Sequence, residues 1–327
     1  MAVAPQNHST EIVPFGRASI ERAARLIAEG CAVAVPTETV YGLAADATSE
    51  TAVARIYEAK GRPGFNPLIV HVADLEQAER IGLFCEAARA AAFAWWPGAL
   101  TLVVPLREDS GLAASVSAGL GTIALRCPAH PAMRDLLRAT GRPLAAPSAN
   151  ASGTISPTSA EHVMRSLDGR IPLIVDGGRS EIGVESTIVG FADGEVRLLR
   201  PGPVAFEEVA ALARLAAAEP DGRIEAPGQL PSHYAPAKPL RLDAAEAGEG
   251  EWLIGFGPVA GQDNLSARGD LAEAAARLFA ALHRADLQPQ PRIAVAPVPR
   301  HGIGAAINDR LTRAAAPRAP TAGAGKT

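Results

Sequence analysis

Through its first two thirds the chain alternates short apolar runs with helical patterns, and this alternation constrains the fold more than any other feature. Residues 31–36 (CAVAVP) read as a buried strand, following a stretch in which Ile20, Ala23, Ala24 and Ile27 keep helical spacing. Ser19 is the expected N-cap of that helix and Gly30 its stop. Residues 67–72 (PLIVHV) read as the next strand. Asp74 and Gln77 then form a capping-box pattern ahead of a helix running to about residue 92. Further strands are expected at Leu100–Pro105 and Thr122–Arg126, and at residues 171–175, 186–190 and 196–199. Thr158 and Glu161 form a second capping box behind Pro157, so a helix is expected to start near Thr158. The expected architecture is α/β or α+β, with one large twisted mixed sheet flanked by helices.

The composition shifts near residue 219. Residues 219–239 are rich in Pro and Gly and lack apolar periodicity, which reads as a linker or an extended crossing segment. A strand at 252–256 follows, then a helix capped by Asp270 with Glu273, a strand at 293–297 and a last helix over about 303–315. That β-α-β-α order predicts a small Rossmann-like α/β domain of about 80 residues. The expected division is a large domain at 16–206, a linker at 207–239, the small domain at 240–316 and a flexible tail at 317–327.

Charge and composition exclude several function classes. The 327 residues carry 31 Lys and Arg against 35 Asp and Glu, a net charge of −4, so nucleic acid is not held by bulk charge. Aromatics make up 4 %, which disfavours a base-stacking surface. Cys31, Cys85 and Cys127 lie far apart without a CxxC pair, which fits a reducing compartment and argues against disulfides or a cysteine zinc site. The first fifteen residues are polar and read as no secretory signal. The longest apolar run, residues 90–100, is about half of the roughly 20 residues a membrane helix needs. A cytoplasmic, monomeric protein is expected. Two motifs are decoys. Residues 255–260 fit G-x-G-x-x-A after a strand, but Pro258, Gly261 and Asn264 are poor material for the helix that must receive a pyrophosphate. Gly325-Lys326-Thr327 ends like a P-loop whose first glycine would be Pro320. The seven histidines form no H-x-x-x-H pair, so a catalytic zinc has little support.

Three segments gather polar and turn residues. They are residues 36–42 (PTETVYG) with 60–67 (KGRPGFNP), residues 147–153 (PSANASG) with 156–158 (SPT), and residues 183–187 (GVEST) with 200–202 (RPG). Each lies at a predicted strand end or before a predicted helix, where open α/β sheets place their ligands. Lys60 and Arg62, fixed by Gly61 and Pro63, make a compact cationic arm expected to face solvent. By themselves they fit an ordinary helix C-terminus at least as well. Arg126, after an apolar strand, is either paired or turned into a pocket, and Arg200 is similar. Four such cations amid Ser, Thr and Asn suggest an anionic polyphosphate ligand, without a P-loop or kinase signature.

At these residues the sequence resembles a known family. PTETVYGL (36–43), KGRP…NPL (60–68), SAN.SG..SPT (148–158), GVESTIV (183–189) and RPG (200–202) resemble the YrdC-like domain of the threonylcarbamoyl-AMP synthases. APG…SHYAP (226–236), NLS..GDL.EAA..LF.AL (264–282) and P.P..GIG.AINDRL (297–311) resemble its long-form members, in which a linker folds over the active site toward a C-terminal domain. The resemblance covers about residues 16–316. It implies that L-threonine, bicarbonate and ATP give threonylcarbamoyl-AMP and pyrophosphate, with Mg²⁺ accompanying the ATP phosphates and no protein metal ligands. The product then goes to the downstream threonylcarbamoyl transferase machinery and, indirectly, to tRNA. Matched motif to motif, Lys60 and Arg62 are the catalytic pair and hold the phosphates with Ser148 and Asn150. Asn66, Thr122, Ser156, Arg200 and the linker's Tyr234 also face the nucleotide. Thr39, His71, Arg126, the backbone at Ala146 and Ser186 surround threonine, with Arg126 meeting its carboxylate. Two other readings remain at this point. One is an RNA-binding module using a basic concave surface, and the other is a carbamoyltransferase using carbamoyl phosphate.

Overall fold

The computed structural model describes residues 8–192, 195–215, 225–229 and 233–317. The expected tail beyond residue 317 and the middle of the expected linker lie outside them. The chain opens with β1 (Glu11–Pro14), α1 (Arg17–Ala28), β2 (Val33–Pro36), β3 (Tyr41–Asp46) and α2 (Glu50–Lys60). It continues through β4 (Ile69–His71), α3 (Leu75–Glu79), α4 (Glu86–Trp95), β5 (Leu100–Pro105), α5 (Ala114–Ser117) and β6 (Thr122–Arg126). Then come α6 (Pro131–Thr140), β7 (Leu144–Ala145), α7 (Ala160–Leu167), β8 (Leu173–Asp176), β9 (Thr187–Ala192), β10 (Glu195–Arg200), α8 (Phe206–Ala210) and β11 (Arg214–Leu215). A second body holds β12 (Leu240–Arg241), β13 (Glu251–Gly255), β14 (Asp263–Asn264), α9 (Leu271–Asp286), β15 (Arg292–Val295) and α10 (Gly304–Ala315).

The first eleven strands form one mixed sheet in the order β1-β8-β2-β3-β7-β4-β6-β5-β9-β10-β11. The last four form a parallel sheet, β12-β15-β13-β14, as the Rossmann-like reading expects. Alternate residues of a strand face opposite sides. Val70 on β4 and Ile123 and Leu125 on β6 pack with Val53, Ala88 and Val163 of α2, α4 and α7. On the other face, Val33 and Val175 of β2 and β8 pack with Ile20, Ala23 and Leu136 of α1 and α6. Among the described residues no helix packs on that face over β4, β6, β5 and β9. Ile69, Val103, Ala124 and Ile188 pack instead with Ala226 of the segment that joins the two bodies. The open half-face between α1/α6 and this strap is where the polar residues gather.

The second body shares a core with the first. Val40, Ile155 and Val184 join Tyr234 and, from the second body, Ala275, Leu278 and Phe279 in one buried cluster. At Gly183 (φ +78°) a Cβ would stand 2.5 Å from the carbonyl oxygen of Ala275, so this approach needs glycine.

Several local expectations are corrected. The helix cap at α1 is Gly16, while Ser19 sits at N3 and its hydroxyl reaches back, accepting from Gly16 N–H at 2.9 Å. At α7 the cap is Ser159, one residue past Thr158. The helix expected from Asp74 to about residue 92 is two helices. Between them Leu83 N–H donates to Pro105 O and Arg107 N–H to Ile81 O, so this segment pairs with the end of β5 instead of continuing the helix. Residues 207–215, read as the start of the linker, hold most of α8 and all of β11, and Val209 is wholly buried in the first core. The G-x-G-x-x-A decoy is a tight turn in which Phe256 and Val259 bond each other's backbones, and α9 begins only at Leu271. Among the described residues no helix is long and apolar enough to cross a membrane.

Candidate functional site

β4 and β6 run parallel and pair His71 with Arg126. Both side chains are buried, at 2 % and 4 % exposure. The Arg126 guanidinium donates to Gly98 O (3.1 Å), Thr39 Oγ1 (2.9 Å) and Glu38 Oε1 (2.5 Å). Glu38 Oε2 accepts from the backbone N–H groups of Ala129 and His130. Burial alone would raise the Glu38 carboxyl, but Arg126 and these donors hold it below its ordinary range. The sequence reading left Arg126 either paired or turned into a pocket, and it is both: it holds Glu38 and lines the cavity. Three of its five N–H groups are used, so a ligand carboxylate would share the fork with Glu38. Neither ring nitrogen of His71 has a partner. Burial, aided by the nearby Arg126, pushes this imidazole down to about 3, so it is neutral, with one donor and one acceptor.

The cationic arm is built by the end of α2. Ser49 caps its start and Gly61, in the left-handed region, turns the chain after Lys60. The expectation that Lys60 and Arg62 face solvent fails, because they are 3 % and 8 % exposed. Lys60 Nζ donates to the carbonyl oxygens of Ser148 (2.5 Å) and Asn150 (2.6 Å), tying the arm to the Ser148–Asn150 turn. Burial, then Arg62, pushes this ammonium well below its usual range. Arg62 donates to Asn66 O and Pro67 O, and burial brings it down to about 10. The Asn66 amide is wholly buried with neither polar atom partnered. Asn150 donates through Nδ2 to Ala151 O and to Thr154, which fixes its own loop and leaves its Oδ1 unpartnered.

At the third corner Arg200, at the end of β10, donates to Ser186 O, Ser186 Oγ and Pro227 O. Ser186 Oγ also shares a hydrogen bond with Thr101. Ser156 Oγ donates to Glu185 Oε1 at 2.5 Å. Tyr234 is 1 % exposed, and its hydroxyl has no partner among the described residues. Electrostatic coupling links Arg200 to both Arg62 and Arg126, so the guanidinium groups form one field.

These groups meet on a cavity of about 50 Å³. Of the residues singled out in the sequence, Thr39, His71, Arg126, Ala146, Ser148, Arg62, Arg200 and Tyr234 line it. Lys60, Asn66, Asn150, Ser156 and Ser186 do not; they stand behind the wall or within the loops that carry it. Thr122 lies four residues before Arg126 on the same face of β6, outside the lining. The strap closes the cavity with Pro227, Gly228, His233 and Tyr234. The site therefore spans a sheet face and is not a crevice beyond strand ends. In this mixed sheet the open half-face, and not the carboxyl edge, is left uncovered by helices. Sequence reasoning missed Thr37, Glu185 and His233 in the lining, and Glu38, which holds Arg126 from outside it. The signal for the two carboxylates was a charge inside an otherwise small or apolar motif, PTETVYG and GVESTIV.

Residues 25–202 match a family model for Sua5, YciO and YrdC that carries the description telomere recombination. Residues 204–316 match one described as threonylcarbamoyl-AMP synthase, C-terminal domain. Threonylcarbamoyl-AMP synthase of Bacillus subtilis is 41 % identical over 324 residues, covering 91 % of this chain and 93 % of its own. That of Pyrococcus abyssi is 40 % identical over 320 residues, covering 90 % and 93 %. The crystal structure of P. abyssi Sua5 complexed with L-threonine superposes with a TM-score of 0.84 at 37 % identity, over 94 % of this chain and 97 % of that one. E. coli YciO, at 19 % identity and a TM-score of 0.52, shares the fold over 59 % of this chain.

Proposed function

The chain belongs to the threonylcarbamoyl-AMP synthase family, and from that premise we propose how its residues carry the reaction. The enzyme makes threonylcarbamoyl-AMP for the threonylcarbamoyladenosine modification of tRNA. Threonine ammonium and bicarbonate give a carbamate, water and a proton. A carbamate oxygen then attacks the α-phosphorus of ATP, the bond from that phosphorus to the bridging oxygen breaks, and pyrophosphate leaves. Such a transfer asks for positioning and charge neutralisation more than for a protein nucleophile.

The observation that carries the assignment is the grouping of donors around the cavity. Arg126, Thr39 and neutral His71 make a recess suited to an amino acid. Its carboxylate takes the free N–H groups of Arg126, and its hydroxyl or amine faces His71. Arg62, Ser148, Arg200 and Tyr234 make the wall suited to phosphates and nucleotide. Lys60 serves this wall by holding the Ser148 and Asn150 carbonyls, and the orphaned amide of Asn66 awaits a polar partner. Among the described residues one carboxylate, Glu185, lines the cavity and is held by the buried Arg310, while Glu38 beside it is held by the buried Arg126. They make no cage for a divalent ion, so Mg²⁺ enters on the ATP phosphates and no step is routed through a protein-held metal. The cations of the site are buried, which disfavours an RNA backbone as their ligand. Delivery of the adenylate to a downstream transferase in the cytoplasm belongs to the same proposal.

The test is pyrophosphate release from ATP and Mg²⁺ with threonine and bicarbonate omitted in turn. Release that needs both, with a threonine-containing adenylate in the mass spectrum, is expected. Release that needs neither would sink the reading.

A further inference from the structure

Arg310, on α10 of the second body, is wholly buried and is the largest such side chain among the described residues. A guanidinium without water is tolerated only when its donors are matched. Here Nε donates to Glu185 Oε2 (2.9 Å), Nη1 to Pro201 O (2.8 Å) and to Asp309 Oδ2 (2.8 Å), and Nη2 to Glu185 O (3.3 Å). Its carbon centre lies 5.4 Å from the centroid of the Tyr234 ring. Asp309 apart, these partners lie outside its own body. Each of them either lines the cavity or adjoins a residue that does: Glu185 and Tyr234 are in the wall, and Pro201 follows Arg200. The effect reaches one step further, because the other oxygen of Glu185 accepts from Ser156. One planar fork thus fixes a carboxylate, the turn after β10 and the ring that closes the cavity, a geometry that lysine cannot copy.

We infer that Arg310 is a positioning residue of the adenylate-forming site: through Glu185 it sets Ser156, and through its face it sets Tyr234 against the nucleotide. The second body then completes the site in place of serving as a separate binding module. This inference rests on the function proposed above.

The full-length chain with Arg310→Lys, Arg310→Gln and Ser156→Ala, singly and combined, tests it. The readouts are threonine- and bicarbonate-dependent pyrophosphate release and thermal unfolding, the assays run well below each transition. Arg310→Lys keeps the charge and loses the fork. It is expected to remain folded while kcat/KM for ATP falls about 10- to 100-fold, the scale of a lost orienting partner. Ser156→Ala is expected to cost less in the Arg310→Lys background than in the wild type, because both act through Glu185. A folded Arg310→Lys enzyme with wild-type kcat and KM would overturn the inference, as would strictly additive effects of the two changes. Activity falling only with the folded fraction in both Arg310 variants would also overturn it. A wild type that releases no pyrophosphate would overturn the underlying functional reading, and this one with it.

Discussion

Lys60 shows how a motif lysine can act without touching its ligand. Its ammonium is held between two carbonyl oxygens of the Ser148–Asn150 turn, so it shapes the cavity by fixing that turn. Replacing Lys60 with Ala would leave Asn150 O without its donor, at a cost of about 1–3 kcal/mol, while Ser148 O would keep the Asn150 N–H. Lys60→Ala is therefore expected to lower the unfolding temperature and to cut turnover together, where a solvent-facing lysine would cut turnover alone. Thermal unfolding of the purified variant decides between them. An unchanged midpoint with lost activity would restore the direct phosphate contact. Tyr234 gives the opposite case. Its hydroxyl is buried without a partner, and its ring is fixed by His233, Phe279 and Arg310. Tyr234→Phe removes an unsatisfied group, so stability should hold or rise by about 1 kcal/mol. If the hydroxyl is kept for the nucleotide, KM for ATP should rise. A Phe variant with wild-type KM would make Tyr234 a simple anchor of the strap.

At the scale of elements, the strands with long apolar runs were legible, whereas β3 and β7, with small or polar residues, and the junctions were not. Leu100–Pro105 and Thr122–Arg126 fall where the apolar runs put them, because a strand buried on both sides reads as one continuous run. β1 (Glu11–Pro14) went unread because it is a mostly exposed edge strand with no apolar run of its own. The break between α3 and α4 was hidden because it is made by pairing with β5, far along the chain. The site divides in the same way. Side chains with motif neighbours, such as Arg62, Ser148 and His71, were assignable, whereas the Glu38–Arg126 and Glu185–Arg310 pairs join segments that only the fold brings together. The strap's Pro227, Gly228, His233 and Tyr234 help enclose a cavity of about 50 Å³, far below the roughly 300 Å³ at which ligand sites begin. At Gly228 (φ +88°) a Cβ would stand 2.8 Å from the Tyr234 hydroxyl, which makes Gly228→Ala a strained variant of the closed strap.

At the scale of the molecule, the two bodies are joined by groups that avoid protons. His162 of α7 and His283 of α9 stack across the junction with ring centroids 3.9 Å apart, and His283 Nε2 contacts Ser156 O. Burial pushes His283 down to about 4 and His71 down to about 3, and it also lowers His162 and His233. A histidine whose folded value lies below 6.5 contributes stability that is complete above pH 6.5. That stability is lost as pH falls toward the folded value, because only the unfolded chain takes up the proton. Each such group gives up about 1.4 kcal/mol per pH unit in this window. Glu38 and Glu185, both held below the ordinary carboxyl range, carry the same sign into still lower pH. The expected outcome is a marked fall in the unfolding temperature between about pH 7 and about pH 5, well before carboxylates titrate in bulk. Scanning calorimetry across this range measures it. A flat midpoint would mean that these histidines are already proton-bound or solvent-reached in the folded chain. In that case the junction carrying Arg310 and the strap would be far looser than their burial indicates.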